Sequence, residues 1–303
     1  MFFIYLLIIF LLGVIAPVQT SSNTRAQDYL KSPLVASLCS FLVGTAALVL
    51  ICLLVEGSLP SGNVAGLPWW AWCGGAAGVF GITANIFLFP RLGSMQTVLM
   101  PMVGQIIAGF VIDSFGLFDS PKYPVSVLRI LGFVLVMVGV FYVVSHNRKR
   151  HFSDWKILKW QLFGNLAGAV LAMQPAMNSK LAAGIDSSLY ASLYSFASGT
   201  LLLLLICCLL KGHRENVVKI FTARRPFWVW GGGLLGTCIV VGQTYLVNHV
   251  GVGLLTIINI FGMLVMSVII DNYGILGAQK IRITPKKAIG LFLVLGGIVM
   301  LNL

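Results

Sequence analysis

The sequence is poor in charge, and above all in acid. Only 9% of its 303 residues are charged, and Asp and Glu together number 8. A water-soluble domain devotes about a quarter of its residues to charge. This chain lacks the means to cover a surface that faces water. With 58% hydrophobic residues and a mean hydropathy of +0.97, it must place most of its surface in lipid.

Other absences narrow the function. The six cysteines (Cys39, Cys52, Cys73, Cys207, Cys208 and Cys238) all fall inside apolar runs without metal-ligand spacing, and read as small packing side chains. Neither a metal nor a cofactor is expected. Paired aspartates, His-Glu-x-x-His and Ser/His or Cys/His sets are missing from the apolar runs, so the chain does not read as an enzyme. A ring of charge or a carbonyl filter, as a passive channel requires, is not visible either.

What is present is a series of ten apolar stretches, none containing Asp, Glu, Lys or Arg: residues 2–20, 34–55, 70–90, 94–112, 130–145, 160–177, 189–210, 227–247, 252–270 and 288–303. A hydrocarbon core about 30 Å thick takes about 20 apolar residues per helix, so each stretch predicts one span. The first has no basic leader and no convincing cleavage site, and reads as a retained helix rather than a signal peptide.

The net charge of +12 arises from 20 Lys and Arg in the links between stretches. No aromatic-studded basic surface accompanies them, so nucleic acid is not expected as a partner. Alternating the spans places 17 of the 20 on one side and leaves Lys122, Arg129 and Lys180 on the other. The positive-inside rule makes the first side cytoplasmic and puts both termini outside.

The halves of the chain resemble each other. At an offset of 155, Gln19-Thr-Ser-Ser-Asn23 matches Gln174-Pro-Ala-Met-Asn178, and Ser40-Phe41-Leu-Val-Gly44-Thr45 matches Ser195-Phe196-Ala-Ser-Gly199-Thr200. At an offset of 158, Trp70-Ala-Trp72-Cys-Gly74-Gly75 matches Trp228-Val-Trp230-Gly-Gly232-Gly233. Ile112-Asp-Ser-Phe-Gly116 likewise matches Ile270-Asp-Asn-Tyr-Gly274. Duplication of an odd number of spans turns the second copy over. The fold class predicted is therefore an all-α integral membrane protein of ten helices, built as two inverted five-helix repeats over residues 1–150 and 151–303. Such repeats give a physical route to alternating access.

At these residues the chain resembles the drug/metabolite transporter (EamA-like) superfamily, and within it the YdcZ-type branch of bacterial inner-membrane proteins. The pieces that carry the likeness are Gln174-x-x-x-Asn178-Ser-Lys-Leu with Phe196-x-x-Gly199-Thr200, their first-half partners, and Trp69-Trp70-Ala-Trp72 with the following glycines. Arg25 departs from the usual run in the first copy. The resemblance implies a ten-helix bundle with a central cavity, acting as an exporter or exchanger in the bacterial inner membrane. Ten helices suffice for a complete carrier, so a monomer is expected.

Amides are the polar groups left at membrane depth. Gln174 and Asn178 lie i, i+4 on one helical face, and Gln19 with Asn23 repeats the pair. Asn85 and Gln243 form a second symmetric pair, whereas Gln105 and Asn259 have no counterpart in the repeat. An amide offers donors and an acceptor without fixed charge, which suits a neutral, zwitterionic or lipophilic solute. The plainer reading is that these groups cross-link helices. Asp113 and Asp271 lie just before Gly116 and Gly274, which read as helix C-caps, and are candidates for a gate or coupling site or a paired loop anchor. The sets Gly74/Gly78, Gly164/Gly168 and Gly232/Gly236 read as close helix contacts. His249 is expected in a tight interfacial loop. The competing functional reading is a non-transporting scaffold or lipid-handling protein.

Overall fold

Helix is the only regular structure among the described residues. In hydrocarbon each backbone N–H and C=O must find its partner within the segment, and the helix does this unaided. The computed structural model describes residues 1–60, 66–144, 155–210, 212–222, 230–275 and 284–302. The side chains at 85, 86, 89, 90, 93–96, 144, 155, 156, 214, 215, 271 and 302 also lie outside the described set. Many of the basic loop residues behind the charge asymmetry, such as Arg148, Arg150, Lys211, Arg224 and Lys280, fall outside it, as does Trp228.

The first helix, α1 (Phe2–Leu30), runs 29 residues, well past the apolar stretch that announced it. Thr20 and Thr24 explain part of this. Their hydroxyls donate to the carbonyls of Ala16 (3.0 Å) and Thr20 (2.9 Å), so neither needs water. Lys31 then adopts a left-handed φ of 55°, and Ser32 opens α2 (Pro33–Val55), its hydroxyl accepting from the Val35 amide. The same junction recurs in the second half. There α5 (Trp155–Ile185) ends, Asp186 takes φ 52°, and Ser187 caps α6 (Ser188–Leu209) through the Tyr190 amide.

A 3₁₀ turn at Trp69–Cys73 leads into α3 (Gly74–Phe115), 42 residues long. The backbone is helical through residues 91–93, yet Gly164 of α5 faces both Leu88 and Met100, which a straight helix would hold about 18 Å apart, so the chain changes direction between them, where the sequence places a break. The one charge in that link, Arg91, is satisfied on the helix itself: its Nη1 donates to the Phe87 carbonyl (2.8 Å) and its guanidinium lies 4.0 Å from the Trp160 ring. In the second half, Gly251 at φ 81° does divide α8 (Gly231–Val250) from α9 (Val252–Tyr273). Gly116 (φ 67°) and Gly274 (φ 65°) stop α3 and α9 in the left-handed conformation expected of C-caps. The bundle also contains α4 (Val127–Val144), a short helix α7 (Arg214–Thr222) that the sequence did not announce, and α10 (Pro285–Asn302).

Five helical segments are long and apolar enough to cross a bilayer among the described residues: Phe2–Leu30, Pro33–Val55, Thr97–Phe115, Ser188–Leu209 and Val252–Ile270. Large apolar side chains such as Leu54, Leu201, Leu209 and Phe292 stand more than two-thirds exposed, as a lipid-facing surface demands.

The chain forms two compact units, each drawing on both halves of the sequence. One comprises Met1–Val14, Ala84–Met173 and Leu246–Leu303. In it α4 packs on α10 through glycine: a Cβ on Gly132 or Gly139 would press on the Gly297 or Gly290 carbonyl respectively, and the reverse holds for Gly290 and Gly297. The two helices therefore run antiparallel at van der Waals contact, as small residues allow. The other unit comprises Ile15–Thr83 and Gln174–Tyr245. Its centre is the crossing of α2 and α6, where the tilted rings of Phe41 and Phe196 pack with centroids 5.2 Å apart and the Thr45 and Thr200 hydroxyls bond at 3.0 Å.

Candidate functional site

The residue pairs that meet at the α2–α6 crossing occupy equal places in the two halves, 155 positions apart. Around them the amides take their positions. Gln174 and Asn178 of α5 lie against α3: a Cβ on Gly74 would collide with Asn178 Oδ1, and one on Gly78 would come 3.0 Å from Gln174 Nε2. Gln19 and Asn23 of α1 do the same against α8, where Gly232 faces Asn23 Oδ1 and Gly236 faces Gln19 Nε2. Two features read separately from the sequence, the amide pairs and the spaced glycines, are thus two sides of one contact. The glycines supply the room that the amides fill.

The two copies are not equal in burial. Asn178 is only 1% exposed, and both its Oδ1 and its Nδ2 are buried without a hydrogen-bond partner. The hydroxyl of the adjacent Ser179 is in the same state, and Ser195 Oγ borders the same Gly74. Asn23, Gln19 and Gln174 are partly buried. In a low-dielectric interior an unpaired polar atom costs about 1–3 kcal/mol, so a carboxamide with neither end engaged is an unusual group to retain.

Gln243 is partly buried on α8, and Gln105 is partly buried on α3. The side chains of Asn85 and Asp271 lie outside the described residues. Asn259 is 8% exposed; its Nδ2 reaches only the Met263 sulfur at 3.8 Å, and its Oδ1 has no partner.

Asp113 is buried and well held. Its carboxylate accepts from the amides of Val252 (2.7 Å) and Gly253 (2.9 Å), the first residues of α9. A negative charge at a helix N-terminus is stabilised by the unsatisfied N–H groups and by the dipole. A Cβ at Gly251 or Gly253 would come within 2.8 Å of Asp113 Oδ2, so glycine at both places admits the carboxylate. Arg129 is held nearby by the carbonyls of Tyr123 (2.5 Å) and Pro124 (3.2 Å). Burial and the neighbouring Asp113 charge push the Tyr123 phenol above its ordinary value. His249, expected in a loop, sits in the last turn of α8 and stacks on Tyr5 with ring centroids 4.7 Å apart.

Sequence reasoning passed over Asn165. Its Nδ2 donates to the Gln161 carbonyl at 2.9 Å, while its Oδ1 is buried without a partner. The available signal was the repeat: its counterpart, 155 positions earlier, is Phe10.

A family profile described as "Putative inner membrane exporter, YdcZ" matches this chain twice, over residues 4–142 and 159–300. The chain belongs to the YdcZ family. Among curated relatives, Inner membrane protein YdcZ of Escherichia coli (strain K12) is 29% identical over 138 residues, which cover 45% of this chain and 91% of that protein. That relative is therefore about half as long as this chain. A solved crystal structure aligns with 98% of this chain and 94% of its own at 14% identity, with a TM-score of 0.67, a likeness of fold alone. Membership makes the chain a multi-pass inner-membrane protein and ties it to membrane transport rather than to enzymatic catalysis.

Proposed function

We propose that this YdcZ-family protein is an exporter or exchanger that moves a neutral, zwitterionic or lipophilic solute by alternating access, and that the solute binds at the amide face of α5 and α1. The observation that carries this reading is Asn178, a carboxamide 1% exposed with neither polar atom engaged. A group kept at that cost is explained by a ligand that supplies the missing donor and acceptor. Gln174 one turn away, and Gln19 with Asn23 in the other half, extend the same chemistry. Asp113 belongs instead to the fold, as the anchor that starts α9.

Ten spans in two inverted repeats are the architecture assigned with this function. Its support is the self-similarity of the halves, the matching Lys31/Ser32 and Asp186/Ser187 junctions, and the profile matching once in each half. The glycine contacts of α4 with α10 and of α3 and α8 with the amides also exchange under the same offsets. The two arms of α3, on either side of the change of direction between Leu88 and Met100, are assigned to two spans. The charge asymmetry puts both termini outside the cytoplasm.

The test is a thermal-stability screen of the purified protein against metabolites and lipophilic cations, beside Asn178→Ala and Gln174→Ala. A ligand at a hundredfold excess over its Kd stabilises the native state by about 2.7 kcal/mol. A hit lost in both variants supports the site. A hit that survives in both rules it out.

A further inference from the structure

The link between α6 and α8 differs from its counterpart in the first half. From Lys211 to Val229 the sequence holds five basic residues, Lys211, Arg214, Lys219, Arg224 and Arg225, against one acid, Glu215. The matching link, 56–68, has Glu56 and no Lys or Arg, and its described residues form no helix. The second link instead contains α7 (Arg214–Thr222). The repeat does not require this helix, so its use belongs to the membrane face on which it lies.

At 9 residues, about 14 Å, α7 is too short to cross a bilayer. Its residues sort by face. At about 100° per residue, Ile220, Val217, Phe221 and Val218 form one apolar arc that only Arg214, at the helix start, interrupts. Asn216, Lys219, Glu215 and Thr222 fill the other arc. The protein covers only part of the apolar one. The helix packs against α2 and α6, and Ile220 is 4% exposed, whereas Val218 is 58% and Phe221 79% exposed. Leu209 and Leu210, at the end of α6, are exposed as well. Just ahead of α7, His213 Nδ1 lies 2.8 Å from Ser32 Oγ, the cap of α2, which fixes where the helix begins.

A short helix with one apolar arc and a cationic surround lies in the bilayer interface, its apolar side at the boundary of headgroups and acyl chains. A soluble anion would meet the charges and leave Phe221 and Val218 in water. An anionic phospholipid meets both, and the cytoplasmic leaflet is the one that carries it.

We propose that α7 is an anchor for anionic phospholipid: Val218 and Phe221 enter the acyl boundary, while Lys219 and the cations on either side of the helix bind phosphate headgroups. The Lys219 ammonium has three donors, of which one goes to Asn216 Oδ1. The surface stands whether or not the amide face binds a solute; only its assignment to the cytoplasmic leaflet follows the topology proposed above.

The experiment attaches bimane to Val218→Cys in the cysteine-free full chain, reconstituted in phosphatidylcholine vesicles. The quencher is a lipid brominated in its acyl chains, either phosphatidylglycerol or phosphatidylcholine at equal mole fraction. Quenching reports that position 218 lies among acyl chains, and any excess with phosphatidylglycerol reports lipid selection at α7 itself. Both lipids are expected to quench, with phosphatidylglycerol associating about fivefold more strongly, the contribution of one cation at an anionic surface. The preference should fall close to one in Lys219→Gln/Arg224→Gln/Arg225→Gln, and in the parent chain at about 0.5 M salt. Should the triple variant fail to fold, the salt arm decides. No quenching by either lipid means that water or another protein covers the arc, and overturns the proposal. Quenching that appears only on dilution of the protein in lipid means that a second copy covers it, and does the same. So does equal quenching by the two lipids, or a preference that a folded triple variant keeps or that salt leaves intact.

Discussion

Replacing Asn178 by Leu is expected to stabilise the protein and to abolish its function. The two side chains have the same branching and the same number of heavy atoms. Each unpaired polar atom of the buried carboxamide costs about 1–3 kcal/mol, and Asn178 has two. Against this stands crowding, because Gly74 approaches Oδ1 so closely that it has no room even for a methyl group. Volume-conserving swaps cost less than about 1.5 kcal/mol. The balance favours Leu by at least about 0.5 kcal/mol, and a shift of that size raises Tm by about 1 °C or more in a chain of this length. The assay is a melting curve by intrinsic tryptophan fluorescence in detergent, followed by ligand binding. A Tm that falls by 2 °C or more, with ligand binding retained, refutes the reasoning, since it means that the amide is satisfied in the folded state and serves packing.

Four further outcomes follow from the contacts. In a cysteine-free background, Thr45→Cys/Thr200→Cys should cross-link under mild oxidation, joining separately expressed halves into one band on a gel; no cross-link contradicts the α2–α6 crossing. Asp113→Ala leaves the Val252 and Gly253 amides unpaired and should cost about 2–4 kcal/mol, with Asp113→Asn costing less because one oxygen remains; equal melting points for the two would contradict this. Gly139→Val and Gly297→Val each force α4 and α10 apart and should each lose about 1–3 kcal/mol, read from denaturation in detergent; a neutral result for either sinks the proposed close crossing. Ser32→Ala and Ser187→Ala remove equivalent caps and should each cost about 1 kcal/mol, a large inequality in Tm being the outcome against repeat equivalence.

The helical class was legible because composition alone dictates it: a chain with 9% charge has no other solvent than lipid. Helix stops at Gly116 and Gly274 were legible too, since a left-handed cap has a residue preference that the sequence displays. The helical backbone at residues 91–93 was not, because there Arg91 finds the Phe87 carbonyl and the Trp160 ring, which no local pattern announces. The amides and the glycines were each noted, but that Asn178 sits on Gly74 is a fact about two positions distant in sequence. Asn165 shows the limit most clearly. A single Asn among small residues carries no periodic signal, and that its Oδ1 is buried without a partner shows only in the fold.

The measurement that goes straight to the central claim is solute counterflow. Proteoliposomes loaded with an unlabelled compound from the stability screen are diluted into its labelled form, with Asn178→Ala of matched melting temperature as the control. A carrier working by alternating access gives transient, saturable uptake that depends on the internal solute and is lost in the variant. Uptake that rises linearly with concentration, ignores the internal solute or persists unchanged in Asn178→Ala contradicts it.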